Sequence, residues 1–305
     1  MMNSVTQINE AAKTPERLIF EAERDYEKEI VAVAQHIADH DEIKIVSLAG
    51  PSASGKTTTA HILYDTLKQL GEKPEVVSLD DFYLPPGREP LDENGKPDWE
   101  GVNALDLPLI QECLGEVIST GKTCLPRFDF KTKEQILRDR EVDISDHGIL
   151  IVEGLHALNP LITDLVPREN ICKIYISVNC AIEDSFGEQL ISSREIRLMR
   201  RILRDRIFRN ASVNDTLEMW NKVVAGERKN LYCYKNTADF RVKTLHVYEP
   251  CIYRDIFMST LPELREDVPC KDYYMRTWNA VKQFRSLETK YVPDDSLIRE
   301  FIGNE

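Results

Sequence analysis

Gly50-Pro51-Ser52-Ala53-Ser54-Gly55-Lys56-Thr57 meets every fixed position of the pattern G-x-x-x-x-G-K-[S/T]. An apolar run, Ile43 to Leu48, leads into it, and a helical pattern from Thr57 to about Leu70 follows. Strand, glycine loop and helix in that order make a phosphate-binding loop. The spacing has a chemical reason. Glycines let the backbone curl so that its N–H groups converge on phosphate oxygens, and the helix N-terminus adds partial positive charge. Lys56 then reaches the β and γ phosphates, and the Thr57 hydroxyl faces a magnesium ion. Gly50, Ser52, Ala53, Ser54, Gly55, Lys56, Thr57 and Thr58 are thus the expected triphosphate site, with ATP and Mg²⁺ as ligands and GTP an open alternative to ATP.

Outward from the loop, continuous apolar strands alternate with helical stretches. Glu75 to Leu79, Gly148 to Val152 and Cys172 to Val178 read as further strands, and Asp239 to Leu245 as the last. Unbroken apolar strands suit a parallel sheet covered on both faces, so the fold class is α/β with a doubly wound parallel sheet. Thr123 to Phe130 and Arg140 to Ile144 read as an inserted hairpin, and Pro85 to Trp99 as a surface loop. Residues 1–41 read as a helical extension. There Ile19, Ala22, Tyr26, Ile30, Ala34 and Ile37 recur at helical spacing behind Pro15. Residues 42–247 read as the phosphate-loop domain and 248–305 as a second helical extension, in which Tyr274, Trp278, Val281 and Phe284 share a face.

The 305 residues carry a net charge of −13, which argues against nucleic acid as partner. No stretch approaches the roughly 18 unbroken apolar residues of a membrane span, and the N-terminus has no signal-peptide pattern. Seven scattered cysteines without a CxxC pair read as reduced thiols of a cytoplasmic protein. A homo-oligomer is left open, since the stripe on the first helix can serve an interface or pack within the chain.

Phosphate loops serve several classes. The nearest approach to the Asn-Lys-x-Asp guanine clamp of GTPases, Asn221-Lys222-Val223-Val224, lacks the acid. No LSGGQ-like signature or helicase set is present, which leaves a small-molecule kinase. Two acids stand where such chemistry needs them, at strand ends on the edge where ligands bind. Asp80 can accept a proton from an acceptor alcohol, and Glu153 can support magnesium. Either can instead cap a turn. Ser193 to Phe208 reads as a helix with arginines at 197, 200, 201 and 204, followed by Arg209. Those side chains read as one basic face closing on the phosphates, the alternative being a solvated face paired with Glu188 and Glu195.

The segments GPSASGKTTTA, SLDDFY, LPRFDF, ILIVEGLHAL and RRILRDRIFRN together resemble the uridine kinase family, in the wider group with phosphoribulokinase and pantothenate kinase. The resemblance runs from about Lys44 to Leu245. It implies a five-stranded parallel sheet with a β-hairpin and an arginine lid. It further implies phosphoryl transfer from ATP to the 5′-hydroxyl of a nucleoside, uridine or cytidine first, with Asp80 as base beside Lys56 and Arg204. Tyr83 and Glu100 fall at acceptor positions, and Arg201, Arg204 and Arg209 match lid arginines. Phe128 and Lys133 stand where the family offers a tyrosine and a histidine to the base, and Asn210-Ala211-Ser212 replaces the end of an Arg-Gly-x-Arg lid. A kinase of a sugar, sugar phosphate or purine nucleoside stays open, as does a nucleotide-binding regulatory protein. Lys133 and the arginines would suit an anionic acceptor.

Overall fold

The computed structural model describes residues 2–91, 95–129, 132–146, 148–179 and 181–304. Phe130, in the expected hairpin, and Cys180, among the expected thiols, lie outside them. The strands are β1 (Ile45–Ala49), β2 (Lys73–Ser78), β3 (Lys122–Asp129), β4 (Glu134–Asp143), β5 (Gly148–Glu153), β6 (Ile171–Ser177), β7 (Ala181–Glu183), β8 (Gln189–Ser192) and β9 (Phe240–Lys243). The helices are α1 (Val5–Ala11), α2 (Pro15–Ala38), α3 (Lys56–Gln69), α4 (Leu107–Thr120), α5 (Pro160–Thr163), α6 (Ser193–Arg209), α7 (Val213–Asn230), α8 (Glu249–Met258), α9 (Lys271–Val281) and α10 (Arg299–Ile302).

Five strands form one sheet in the order β2-β5-β1-β6-β9, and every neighbouring pair is parallel. Alternation along each strand splits its side chains between two cores. Val46, Leu48, Ile149 and Ile151 enter one, with α2, α3 and α6. Ile45, Ala49, Leu150 and Val152 enter the other, with α4 and the β3–β4 hairpin. Both faces are therefore covered, which is why β1 and β5 are buried along their whole length.

The first core also takes in both ends of the chain. Ile19, Tyr26, Ile30, Ala34 and Ile37 of α2 are buried there, together with Tyr248, Phe257, Tyr274, Val281 and Phe301. The apolar stripe of α2 thus packs within the chain.

Two elements were not anticipated from the sequence. α1 precedes Pro15, and Asn3 accepts a backbone hydrogen bond from Glu183 of a second small hairpin, β7–β8. Its strands are only three and four residues long, too short for periodicity to register. The expected hairpin is longer than its sequence pattern, since β4 starts at Glu134, and the ladder is interrupted between Leu125 and Arg127 around Pro126. Proline donates no ladder hydrogen bond, so a bulge is where a strand tolerates it.

A capping box on Ser192 and Glu195 starts α6, and Asn210 ends it in the left-handed conformation at φ 51°. Asparagine takes that conformation at low cost where a glycine is the usual choice. Ser212 then opens α7 with a second capping box through Asp215. Among the described residues no helix is long and apolar enough to cross a membrane. The six described cysteines are free, and burial pushes the Cys172 and Cys251 thiols up to about 12, away from reactive thiolate character.

Candidate active site

The loop between β1 and α3 has no room for side chains at its glycines. A Cβ on Gly50 would stand 2.5 Å from Ile176 Cγ1, and Gly55 sits at φ 87° with Leu297 Cδ1 2.6 Å from where its Cβ would be. Ala53 is also left-handed, at φ 56°. Alternating handedness turns successive N–H groups inward, which is the geometry of an anion nest.

β5 lies between β1 and β2, so Asp80 is not on the strand next to the loop. It reaches the site from the 3₁₀ turn Leu79–Phe82. Asp80, Lys56, Thr57, Glu153, Tyr83, Glu100, Arg201, Arg204 and Arg209 all border one cleft of about 260 Å³. Thr57 Oγ1 donates to Glu153 Oε1 at 3.4 Å. Asp80 is open to water at the cleft mouth. Even so, the surrounding protein mass holds its carboxyl above the usual aspartate range, partly offset by the charges of Lys56 and Arg209. Glu153 is pushed the same way by burial, against the pull of Lys56.

The neighbouring acid does a different job. Asp81 Oδ1 accepts from the Phe128 N–H at 3.3 Å and so ties the hairpin to the end of β2. Tyr83 stands edge-on to both Phe128 and Trp99, with ring centroids 5.9 and 6.0 Å apart, and its hydroxyl donates to the Trp99 carbonyl. The Glu100 loop is pinned from α7. Asn230 donates to the Glu100 carbonyl at 2.7 Å, and His156 is buried nearby.

Burial lowers the His156 pKa from 6.5 to about 4. Below pH 6.5 the unfolded chain takes up a proton that the folded ring refuses. Stability from this group is therefore full above pH 6.5 and is lost as pH falls toward 4, by roughly 3 kcal/mol. Denaturant titrations at several pH values should show that extra acid sensitivity in the wild type and a shallower slope in His156→Gln; equal slopes would refute it.

The expected single basic face is divided in the structure. Arg197 and Arg200 do not face the cleft. Arg197 is buried against Glu227, and Arg200 against Glu249 at 2.7 Å. Instead they grip the phosphate loop by its carbonyls: Arg197 Nε donates to Ser52 O at 2.8 Å, and Arg200 to Ala53 O at 3.3 Å. Of the arginines on α6, only Arg201, Arg204 and Arg209 line the cleft. Asp205 pairs with all three, at 3.3, 3.1 and 3.4 Å. Glu195, read as a partner for this face, is buried and pairs with Arg276 of α9.

Other expected residues also lie off the cleft wall. Lys133 is exposed in the turn between β3 and β4, at φ 59°, and does not border the cleft. Phe128 stands behind Tyr83. Gly50 and Ser54 form the underside of the loop, and the Thr58 hydroxyl is taken by Glu300 at 2.7 Å.

Two carboxylates on the wall escaped sequence reasoning. Glu227 Oε1 accepts from the Ser52 N–H at 2.8 Å, and Glu300 stands beside Thr58 and Arg204. Each sits in a charged stretch, Glu227-Arg228-Lys229 and Arg299-Glu300, that carries no motif.

The donor set fits magnesium. Glu153 is buried, has no basic side chain within ion-pair distance among the described residues, and shares its oxygen with Thr57. Magnesium takes one or two protein oxygens and leaves the rest of its shell to water and phosphate.

A family model described as Phosphoribulokinase / Uridine kinase family matches residues 45–247. The chain is 29% identical over 182 residues to a uridine kinase of Proteus mirabilis, covering 59% of this chain and 76% of that one. It is 26% identical over 181 residues to uridine kinase-like protein 5 of Arabidopsis thaliana, where the match spans 59% of this chain but 34% of its relative. A solved structure of a possible uridine kinase from Bacillus stearothermophilus is similar over 44% of this chain and 70% of that one, at 22% identity and a TM-score of 0.37. The family match spans well over half the chain and contains the phosphate loop, Asp80, Glu153 and the α6 arginines, so the chain belongs to the phosphoribulokinase/uridine kinase family of small-molecule kinases.

Proposed function

We propose that this protein transfers the γ-phosphoryl group of ATP to the 5′-hydroxyl of a nucleoside, uridine or cytidine first. The observation that carries the reading is the shared cleft, with a carboxylate, Asp80, on the same wall as Lys56 and the arginines. The loop amides and Lys56 hold the triphosphate. Thr57 and Glu153 would hold magnesium, which when bound screens phosphate charge and fixes phosphate geometry. Asp80 takes the proton of the attacking hydroxyl as the acceptor oxygen bonds to phosphorus and the bond to the ADP oxygen breaks. Arg201, Arg204 and Arg209 neutralise charge on the passing phosphoryl group.

On the acceptor side, Glu100 is an acceptor of hydrogen bonds, which suits sugar hydroxyls and repels a phosphate. Burial holds its carboxyl above the usual range, with Arg201 pulling it back. With Lys133 out in solvent, the case for a phosphorylated acceptor weakens. Phe128, packed behind Tyr83, brings no side-chain hydrogen bond to a base edge, which favours a second reading: a neutral alcohol other than a pyrimidine nucleoside.

ADP release measured across nucleosides, sugars and sugar phosphates separates these readings. The expected result is turnover with uridine or cytidine and none with sugar phosphates. Turnover on sugar phosphates alone would overturn the assignment, and ATP binding without turnover on any acceptor would point to a regulatory protein.

A further inference from the structure

The donor site has a wall that the family match does not contain. Ser296–Phe301 lies beyond residue 247, yet it touches the phosphate loop at several points. Leu297 packs over Gly55, leaving no space for a Cβ there. Glu300 Oε2 accepts from Thr58 Oγ1 at 2.7 Å in the first turn of α3. Its other oxygen stands 3.8 Å from Arg204 NH1, on the side away from Asp205. Phe301 lies against the Arg200 guanidinium, 4.8 Å from ring centroid to carbon, and Arg200 in turn holds the Ala53 carbonyl.

This segment is built in rather than laid on. Leu297, Ile298 and Phe301 are fully buried. Arg299 donates to the carbonyls of Thr289, Val292, Pro293 and Gly303. Ser296 donates to Glu23 at 2.6 Å, and Glu23 also pairs with His246 of the β9–α8 link at 3.2 Å. From the other end of the chain, Tyr26 of α2 shares a 2.8 Å hydrogen bond with Thr59. Both ends therefore meet on the first turn of α3, the turn whose N–H groups would face a bound triphosphate.

We propose that Ser296–Phe301 is a permanent wall of the ATP site and that Glu300 is a positioning residue. Resting on the kinase reading, the proposal gives its carboxylate two tasks. It holds Thr58 at the start of α3. Together with Asp205 it brackets the Arg204 guanidinium, so that one face of that cation is presented to the phosphates instead of swinging into solvent. The burial of the segment argues against a releasable plug, because freeing it would expose Leu297, Ile298 and Phe301 together.

The test is ATP–Mg²⁺ binding to the full chain by isothermal titration calorimetry, with steady-state kinetics alongside. Glu300→Ala should weaken ATP about tenfold, the size expected for a lost hydrogen bond to a charged group. Glu300→Gln keeps the volume and the oxygen facing Thr58 but loses the charge on Arg204, so it should fall between Ala and wild type. KM for the acceptor and the melting temperature of the Gln variant should stay at wild-type values, a split that a merely structural role would not produce. Thr58→Ala combined with Glu300→Ala should lose less than the two single losses added, because the residues act as a pair. ATP affinity within twofold of wild type in both Glu300 variants would overturn the proposal. Tighter binding would overturn it as well, since the carboxylate would then be a competitor of the triphosphate. A wild-type chain that binds no ATP would instead bring down the kinase reading beneath it.

Discussion

Asp80→Asn is expected to lower kcat by about 10²–10⁴-fold while leaving ATP affinity near wild type, the range that general-base catalysis supplies. The substitution keeps the shape of the side chain and removes its ability to take a proton. Asp80 reaches the cleft from the 3₁₀ turn after β2, and the Ser78 hydroxyl accepts the Asp80 N–H at 3.3 Å, a backbone contact that the change leaves intact. The nearby acids do not stand in for it. Asp81 is engaged with the hairpin, and Glu153 shares its oxygen with Thr57. Nucleotide titration together with single-turnover kinetics separates binding from chemistry. Turnover within tenfold of wild type would remove Asp80 from the role of base.

Glu249→Ala is expected to cost the fold about 3–5 kcal/mol, because it strands a buried cation. Arg200 and Glu249 are each fully buried and meet through two hydrogen bonds of 2.7 Å, Nε to Oε2 and NH2 to Oε1. Arg200 also donates to the Thr244 carbonyl at 2.6 Å and to the Ala53 carbonyl. Burial alone would lower the guanidinium pKa, but the paired Glu249 carboxylate outweighs it and holds the pKa above the usual arginine value. Without Glu249 the charge remains with only neutral partners in a low-dielectric site. Urea unfolding of the variant measures the loss, and a change below about 1 kcal/mol would contradict the buried-pair account. Replacing both residues by Met and Leu should recover much of the stability, since packed apolar groups often equal a buried pair. It should not recover ATP affinity, because the hold on Ala53 is gone.

The arginines of α6 divide between the cleft and the interior, and that division was not legible in the sequence. Arg197, Arg200, Arg201 and Arg204 follow helical spacing and share a chemistry, so a linear reading makes them one face. The tertiary structure separates them by what each meets. Glu227 and Glu249, thirty and forty-nine residues away in the chain, neutralise the first two. Sequence spacing reports which residues share a helix face but not which distant carboxylate lies opposite. Lys133 shows the same limit. A hairpin can be expected from its strands, but the direction of a side chain in its turn depends on local backbone handedness.

The sequence by itself determined the loop between β1 and α3 and the sheet around it. Eight contiguous residues, Gly50 to Thr57, match the phosphate-loop pattern, and that pattern is legible because its chemistry is local: glycine freedom, backbone N–H groups and a helix start all lie within one turn. The strand end carrying Glu153 and the turn after β2 carrying Asp80 followed from apolar runs, and a parallel sheet brings such ends to one edge. Only the tertiary structure decided what surrounds that loop. Glu227 from α7, Glu300 from α10 and Tyr26 from α2 converge on residues 52–59 from segments separated by up to 274 positions. Their placement depends on one shared hydrophobic core, and burial in a core is a property of the folded whole that no local pattern encodes.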